Sequence, residues 1–218
     1  MASQLILCPC GCGAELIGMV AEREDGLRRE VARVAPALRF PASEGVAAYL
    51  VSGVPGAGKS TVGRLLALHF DRAAHIDIDM VLHHFTVAGL HEPAEQTETA
   101  AHQADLAVLN AAGMAKNYLD AGYVCVLEGA IVHRRQVLIC QRALDPYPLH
   151  LVVLNPPLSV SQKRDFERSG KHVGQYFTHL QPLLEEELIG MGLWIDNGEQ
   201  SALETVRMVL AHRAEARL

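Results

Sequence analysis

The segment that most constrains this chain is a glycine-rich turn between an apolar run and an amphipathic stretch. Residues 53–61 read Gly-Val-Pro-Gly-Ala-Gly-Lys-Ser-Thr and match the pattern G-x-x-x-x-G-K-[ST] in full. The apolar run Tyr49–Ser52 precedes the turn, and Val62, Leu65 and Leu66 follow it with helical spacing. These residues therefore predict a strand, a phosphate-binding loop and a helix in that order.

Each part of this loop has a physical role in binding a nucleotide. Its glycines let the backbone fold tightly, so that successive N–H groups point inward at phosphate oxygens. The N-terminus of the helix adds its dipole to this anion site. We expect Lys59 to reach the β- and γ-phosphates of ATP and the Ser60 hydroxyl to coordinate Mg²⁺. The residues predicted to bind the nucleotide here are Gly53, Val54, Pro55, Gly56, Ala57, Gly58, Lys59, Ser60 and Thr61.

Alternating apolar runs and helical patterns predict the fold class. The runs read as parallel strands are Ala48–Gly53, His75–Asp79, Tyr123–Gly129, His150–Asn155 and Leu193–Asp196. Helical spacing covers about 59–70 and 99–120 and resumes after 134, and two sequences typical of capping boxes, 159–162 and 201–204, predict further helix starts. We expect a three-layer α/β/α domain with a five-stranded parallel sheet over residues 46–218. Residues 1–45 do not fit the alternation and are expected to form a Cys-containing segment and helix of their own.

Two carboxylates on the second predicted strand are candidates for acid–base chemistry. Strand alternation would place Asp77 and Asp79 on one face, and ligands bind beyond the carboxyl ends of parallel strands. We expect Asp79 to accept the proton of a substrate hydroxyl. Asp77 would order water around Mg²⁺, hold Lys59 or contact the substrate. The alternative is that one aspartate caps the next helix and the other pairs with a core cation.

The third predicted strand also ends in an acidic residue. Glu128 follows an apolar run, as in elements whose acid meets Mg²⁺ directly or through water, and substrate binding is the alternative role. His133, Arg134 and Arg135 come next, within reach of the same crevice, and His133 and Arg134 in particular are candidate substrate contacts. A solvated start of a helix is the alternative account of most of these residues.

A pair of arginines follows the fourth predicted strand. Arg164 and Arg168 lie four residues apart, a helical spacing that is repulsive unless an anion lies between them. We expect them to contact the transferring phosphate from a lid over 159–175 that bends at the glycines after Arg168. The alternative is local neutralisation by Asp165 and Glu167.

Charge and hydropathy exclude several classes of protein. The formal net charge is −6, which disfavours a long nucleic acid as partner because phosphate binding usually needs a basic patch. No apolar run reaches the 18 or so residues that a membrane span needs, and the first residues lack the pattern of a secretory signal, so we expect a cytoplasmic protein.

The five cysteines fall into two groups. Cys125 and Cys140 lie in apolar segments and are expected to be buried. Cys8, Cys10 and Cys12 have the composition of a zinc site, but their spacing is wrong and no second cysteine pair completes four ligands. Three thiolates joined by a histidine are the alternative, and an unliganded segment is the expectation.

With these motifs the chain resembles the small P-loop kinases that include chloramphenicol phosphotransferase, zeta toxins and shikimate kinase. The resemblance covers about residues 47–210 and rests on Gly53–Thr61, Ile78-Asp79, Arg164–Arg168 and Gly192–Asp196. It implies a P-loop NTPase fold, a base role for Asp79 and a lid role for both arginines. It also implies that adenine lies at the loop 196–201, which makes Asp196 and Asn197 candidate nucleotide contacts.

Together these features predict an ATP-dependent phosphotransferase whose acceptor is a hydroxyl of a small molecule. An antibiotic, a sugar nucleotide and a nucleoside-like compound are the acceptors considered. The alternatives are a 5′-hydroxyl polynucleotide kinase, which would need a basic funnel, and a nucleotide-switched regulatory ATPase without an acceptor. A GTPase is not expected because the chain has no N-K-x-D motif. The sequence leaves a monomer and a homodimer both open.

Overall fold

The computed structural model describes residues 45–91, 97–167 and 178–218. Within them the strands are β1 (Ala48–Gly53), β2 (Ala73–Asp77), β3 (Val124–Gly129), β4 (Leu149–Leu154) and β5 (Leu193–Ile195). The helices are α1 (Lys59–His69), α2 (Ile78–Phe85), α3 (Glu98–Asp120), α4 (Arg134–Leu144), α5 (Leu158–Glu167), α6 (Leu180–Leu188), α7 (Ala202–Ala211) and α8 (Arg213–Ala216). The predictions for the N-terminal cysteines, for Arg168 and for the lid beyond residue 167 lie outside the described residues.

The strands form the predicted five-stranded parallel sheet, in the order β2-β3-β1-β4-β5. β1 lies at its centre, with Val51 opposite both Glu128 of β3 and Val152 of β4. Every residue of β1 and β4 is buried, as expected for strands covered on both faces. Because all five strands run the same way, the loops after β1, β2, β3 and β5 gather at one edge of the sheet.

Helices cover the two faces of this sheet and complete the predicted three layers. α1 packs against α7, and α3 packs against α4 and β3. On α3 the alanines 107, 111 and 115 are buried at a spacing of four residues, which allows the helix to approach the sheet closely. No helix of the described ranges combines the length and the apolarity that a membrane crossing requires.

The helix ends show how local sequence stops and starts a helix, and they test the two predicted capping boxes. Gly122, with φ +80°, ends α3: its N–H donates to the Leu119 carbonyl and the next N–H donates to the Tyr118 carbonyl. The capping box at Ser201 is confirmed. The Ser201 hydroxyl accepts a hydrogen bond from the Glu204 N–H, and the Glu204 carboxylate accepts one from the Ser201 N–H. The capping box at Ser159 is wrong, since α5 begins one residue earlier and Ser159 lies inside its first turn.

The end of β2 differs from the prediction. The strand stops at Asp77 rather than Asp79, and α2 begins at Ile78. The Asp77 carboxylate accepts a hydrogen bond of 3.0 Å from the Met80 N–H, so it caps the helix and turns the chain. Asp79 is therefore in the first turn of α2, and the two carboxylates do not share a strand face.

The burial predicted for two cysteines is confirmed, and the edge strand β5 carries a tryptophan. Cys125 and Cys140 are buried in the core, and burial raises the pKa of each thiol to about 12. Trp194 is the chain's only tryptophan. It lies half-buried in β5, and its Nε1 donates to the Met191 carbonyl at 3.0 Å.

Candidate active site

A cleft of about 1050 Å³ opens at the edge where the parallel strands end. The loop after β1 lies at its centre, because β1 is the central strand. On one side, which we call the nucleotide half, the cleft is bounded by Arg164, Asn197 and Gln200. On the other side, which we call the acceptor half, it is bounded by α2, α3, residues 130–133, the start of α4 and α6.

The loop after β1 has the backbone that its glycines predict. Gly56 has φ +81° and Gly58, the residue before α1, has φ +97°, conformations that other residues rarely adopt. A side chain at Gly56 would also collide with the carbonyl group of Ser161 in α5. The Ala57 N–H donates to the Val54 carbonyl at 3.1 Å and closes the turn. The loop is thus folded tightly at the N-terminus of an 11-residue helix, the geometry that binds phosphate groups.

Lys59 and Ser60 stand where this loop meets α1, and both line the cleft. The Lys59 ammonium donates to the Val54 carbonyl at 3.2 Å and is 8% exposed. The Ser60 hydroxyl lies near the Glu128 carboxyl group and acts to lower its pKa. No group of three or more His, Cys, Asp or Glu that could hold a metal occurs among the residues described. A hydroxyl beside a carboxylate fits Mg²⁺, which keeps several waters and takes phosphate oxygens as ligands.

Glu128 is the carboxylate next to Ser60 and lies near the end of β3. It is 1% exposed, and β2 and β3 place it opposite Asp77. Burial, and next the negative charge of Asp77, raise the pKa of Glu128 from its ordinary 4.5 to about 7, against the opposing charge of Lys59. Its Oε1 atom has no hydrogen-bond partner in the structure. A buried acceptor oxygen next to Ser60 suits the water shell of a magnesium ion.

Replacing Glu128 with Gln should flatten the pH dependence of stability. The folded protein holds the Glu128 proton more tightly than the unfolded chain, so this residue lowers the free energy of unfolding as the pH rises from about 4.5 to about 7. Between pH 5 and 8 the wild type should lose about 2 to 3 kcal/mol more than Glu128→Gln. Denaturant unfolding of both proteins in EDTA, without nucleotide, measures this difference. Equal losses in the two proteins would contradict the ionisation of Glu128 in this range.

Asp79 faces the cleft from the first turn of α2. Asp79 and His83 lie four residues apart on this helix, and both line the acceptor half. Asp77 lies behind them as the helix cap, so its side chain is outside the lining. The sequence pattern thus identified the carboxylate that faces the cleft, although a helix rather than a strand presents it.

The start of α4 brings one predicted substrate contact to the cleft and leaves one outside. His133 lines the cleft, with its Nδ1 3.8 Å from Glu187 of α6. Arg134 is exposed and its side chain is not part of the lining. Arg135, which the sequence placed within reach of the crevice, also lines the cleft, and its Nε donates to the two carboxylate oxygens of Asp105 at 2.9 and 3.1 Å.

Arg164 lines the nucleotide half, but its contacts differ from those expected. Its Nη2 donates to the carbonyls of Asn197 at 2.9 Å and Gly198 at 3.1 Å. Glu167, the neutralising partner considered from sequence, lies 3.9 Å from Lys163. Arg164 therefore joins α5 to the loop after β5, the loop predicted to hold adenine.

That loop is also joined to the phosphate-binding loop. The Asn197 Nδ2 donates to the Ala57 carbonyl at 2.9 Å, while its Oδ1 is buried and has no hydrogen-bond partner in the structure. Asp196, the other predicted nucleotide contact, is exposed and accepts from the Gly198 N–H at 2.9 Å. Only Asn197 of these two lines the cleft.

Several lining residues were not identified from sequence. They include His179 and the alanines 100, 101, 104 and 107 of α3. The alanines recur with helical spacing, so their common face was visible in the sequence, but which neighbour that face meets was not. Helix α6 was also missed, although Leu180, Leu184 and Leu188 recur every four residues.

Comparisons with known proteins agree with this fold. A family model described as chloramphenicol phosphotransferase-like protein matches residues 47–213. No curated protein sequence matches the chain significantly.

Solved structures provide a second comparison. The three described next are at most 22% identical to this chain, so they show a likeness of fold alone. The chain is similar to a sugar kinase from Janibacter sp. HTCC2649, with 18% identity over 78% of this chain and 96% of that one and a TM-score of 0.60. It is similar to a gluconokinase from Sinorhizobium meliloti 1021, with 22% identity, 81% and 93% coverage and a TM-score of 0.59. It is also similar to the Deinococcus radiodurans tunicamycin resistance protein, with 12% identity, 79% and 98% coverage and a TM-score of 0.57.

Proposed function

This chain belongs to the chloramphenicol phosphotransferase-like family and is a P-loop kinase, and on that premise we propose that it transfers the γ-phosphate of ATP to a hydroxyl group of a small molecule. The acceptors that we consider are an antibiotic, a sugar nucleotide and a nucleoside-like compound. The proposal includes the roles of the individual residues in the cleft.

One observation carries the proposal. Asp79 lines the same cleft as Lys59 and Ser60, and it does so from the acceptor half, across from the nucleotide half. A carboxylate beside a phosphate-binding loop repels the phosphates of the nucleotide. Its position there is therefore best explained by a role toward the acceptor. A substrate hydroxyl between the two would be close to both a proton acceptor and the phosphate to be transferred.

The residues of the chain divide the work of the reaction. ATP with Mg²⁺ supplies the phosphoryl group in a form whose negative charge is partly neutralised. Asp79 would take the proton from the acceptor hydroxyl as its oxygen bonds to the γ-phosphorus, while the bond from that phosphorus to the bridging oxygen breaks and ADP leaves. Lys59 and the amides of residues 56–60 would hold the phosphate oxygens, and Ser60 with Glu128 would hold the ion and its water.

The nucleotide half would fix the base and the ribose. Arg164 and Asn197 hold the loop after β5 against α5 and the phosphate-binding loop, so these three parts of the cleft keep one arrangement. The buried Asn197 Oδ1 is free to accept a hydrogen bond from an amino group such as that of adenine. We propose that Arg164 acts here by positioning this loop.

The cleft volume supports a small acceptor beside the nucleotide. Single ligand sites usually measure about 300–1,000 Å³, so about 1050 Å³ accommodates ATP and one further compound of modest size. Two structural neighbours, a sugar kinase and a tunicamycin resistance protein, have names that agree with small acceptors.

A transfer screen with the full chain tests the function. The chain would be incubated with Mg²⁺, radiolabelled ATP and hydroxyl compounds from the three acceptor classes, with a 5′-hydroxyl oligonucleotide as a further candidate. We expect labelled product with at least one small compound, no product in EDTA and slow ATP hydrolysis without acceptor. Label transferred to the oligonucleotide alone would favour a polynucleotide kinase, and ATP hydrolysis that responds to no acceptor would favour a regulatory ATPase.

A further inference from the structure

The outward face of α3 is uncharged over the middle of the helix. α3 has 23 residues, and its segment 106–115 contains no charged side chain. Ala111 and Ala115 lie on the side of the sheet and are buried, whereas Leu106 and Leu109 lie on the opposite side and are 46% and 49% exposed. The outward face of a surface helix normally carries charged side chains, so this face has the composition of one that another surface covers.

Gly113 on the same face is a second indication of a partner. Inside a helix, glycine is less favourable than alanine because it gives the unfolded chain more freedom. The described part of the chain does not require a glycine here, since its backbone is helical and a Cβ atom built on it meets no atom within 4 Å. The missing side chain therefore matters only to a surface that approaches from outside, and it lets that surface come close to the helix backbone.

The residues of this face repeat like the seam of a coiled coil. They alternate by four and three positions and lie within about 40° of one line along the helix, at 3.6 residues per turn. We call them the α3 stripe, which runs for about 27 Å at 1.5 Å per residue. The α3 stripe consists of His102, Leu106, Leu109, Gly113, Lys116 and Asp120, and each is exposed except Lys116, which is half-buried.

The α3 stripe is complementary to itself when two copies meet head to tail. In an antiparallel pair centred midway between Leu109 and Gly113, Leu109 lies opposite the partner's Gly113, whose missing side chain leaves room for the leucine. His102 lies opposite the partner's Asp120, so that an imidazole N–H can donate to a carboxylate. A parallel pair would instead place Lys116 and Asp120 each against its own copy, an arrangement that like charges oppose.

We propose that α3 is the contact between two copies of this chain, which pair antiparallel through the α3 stripe. A two-fold pair uses the same patch on both copies, so each of these contacts occurs twice. The contact is small, and we expect a reversible dimer with a dissociation constant on the order of 1–100 µM. The opposite face of α3 lines the acceptor half of the cleft, so the dimer would also hold that wall of each cleft in place.

Sedimentation velocity of the full chain, reduced and without nucleotide, tests the proposal over concentrations that bracket this dissociation constant. We expect monomer at the low end and dimer at the high end. Leu109→Lys puts an ammonium group at the centre of the contact and should weaken the dimer at least about tenfold, because burying an unpaired charge is costly. Ile189→Lys is the matched control, since it makes the same change at a side chain that is 74% exposed outside α3, and it should leave the dimer unchanged.

Gly113→Leu separates this contact from non-specific apolar association. Leucine adds apolar area and favours the helix, so the variant should unfold at a higher temperature than the wild type. It also fills the room that the partner's Leu109 needs, and should therefore weaken the dimer at least about tenfold.

Four results would overturn the proposal: a full chain that stays monomeric throughout, assemblies larger than a dimer, a Leu109→Lys variant that dimerises like the wild type, or a Gly113→Leu variant that dimerises at least as strongly. The measurement needs neither ATP nor an acceptor. Its failure would therefore leave the proposed phosphate transfer as it stands, and a failed transfer screen would leave the dimer as it stands.

Discussion

Asp79→Asn is expected to lower kcat for phosphate transfer by about 10²–10⁴ while ATP still binds. The amide has nearly the shape of the carboxylate but cannot accept the proton that the substrate hydroxyl loses. Asp77 rather than Asp79 caps α2, so the change at 79 should leave the fold and the nucleotide half intact.

The measurement is single-turnover transfer with saturating ATP and an acceptor found by the screen, together with the dissociation constant of ATP. Asp71→Asn is the matched control, because it makes the same chemical change at an exposed position outside the cleft. Full transfer activity in Asp79→Asn would remove Asp79 as the base. A variant that also failed to bind ATP would show that Asp79 supports the nucleotide site.

Lys59→Met is expected to lower kcat/KM for ATP by about 10²–10³, the usual effect of removing one donor from a transferring group. The methionine side chain can fill the same buried space, so the loss should come from charge rather than from packing. Losing the ammonium also removes the one effect of Lys59 on Glu128, which is to lower the pKa of that carboxyl. We therefore expect Glu128 to be protonated to a higher pH in this variant.

Transfer kinetics over a range of ATP concentrations measure this effect. Lys163→Met is the control, because Lys163 is 73% exposed on α5 and lies outside the cleft lining. Equal loss of activity in the two variants would show that the change in the protein's net charge, and not the ammonium at position 59, causes the loss. Unchanged activity in Lys59→Met would show that the loop does not bind the triphosphate in the proposed way.

The fold was largely predictable because its strands are buried on both faces. Such strands form continuous apolar runs, and β1 was predicted to the residue. The end of β2 was not, because alternation continues through Ile78 and Asp79, while the hydrogen bond that Asp77 accepts from the Met80 N–H turns the chain into a helix. That competition between a strand pattern and a helix cap depends on three-dimensional geometry.

The candidate site was predictable where it is local and was missed where it depends on packing. The phosphate-binding loop is one continuous segment, so spacing alone identified it. The bond from Arg164 to the carbonyl of Asn197 joins residues 33 positions apart, and the pair Arg135–Asp105 joins residues 30 positions apart. Nothing in the local pattern of either arginine indicates its partner.

The position of Trp194 gives this kinase a built-in optical reporter. The indole lies three residues before Asn197 on the short strand that leads into the loop thought to meet adenine, and no other tryptophan contributes to emission at 295 nm excitation or so. Filling of the base pocket should change the surroundings of this ring, so nucleotide titrations could be followed by fluorescence on the unlabelled chain. The same signal would not respond directly to compounds that enter on the side of Asp105, which lets the two ligands be followed separately.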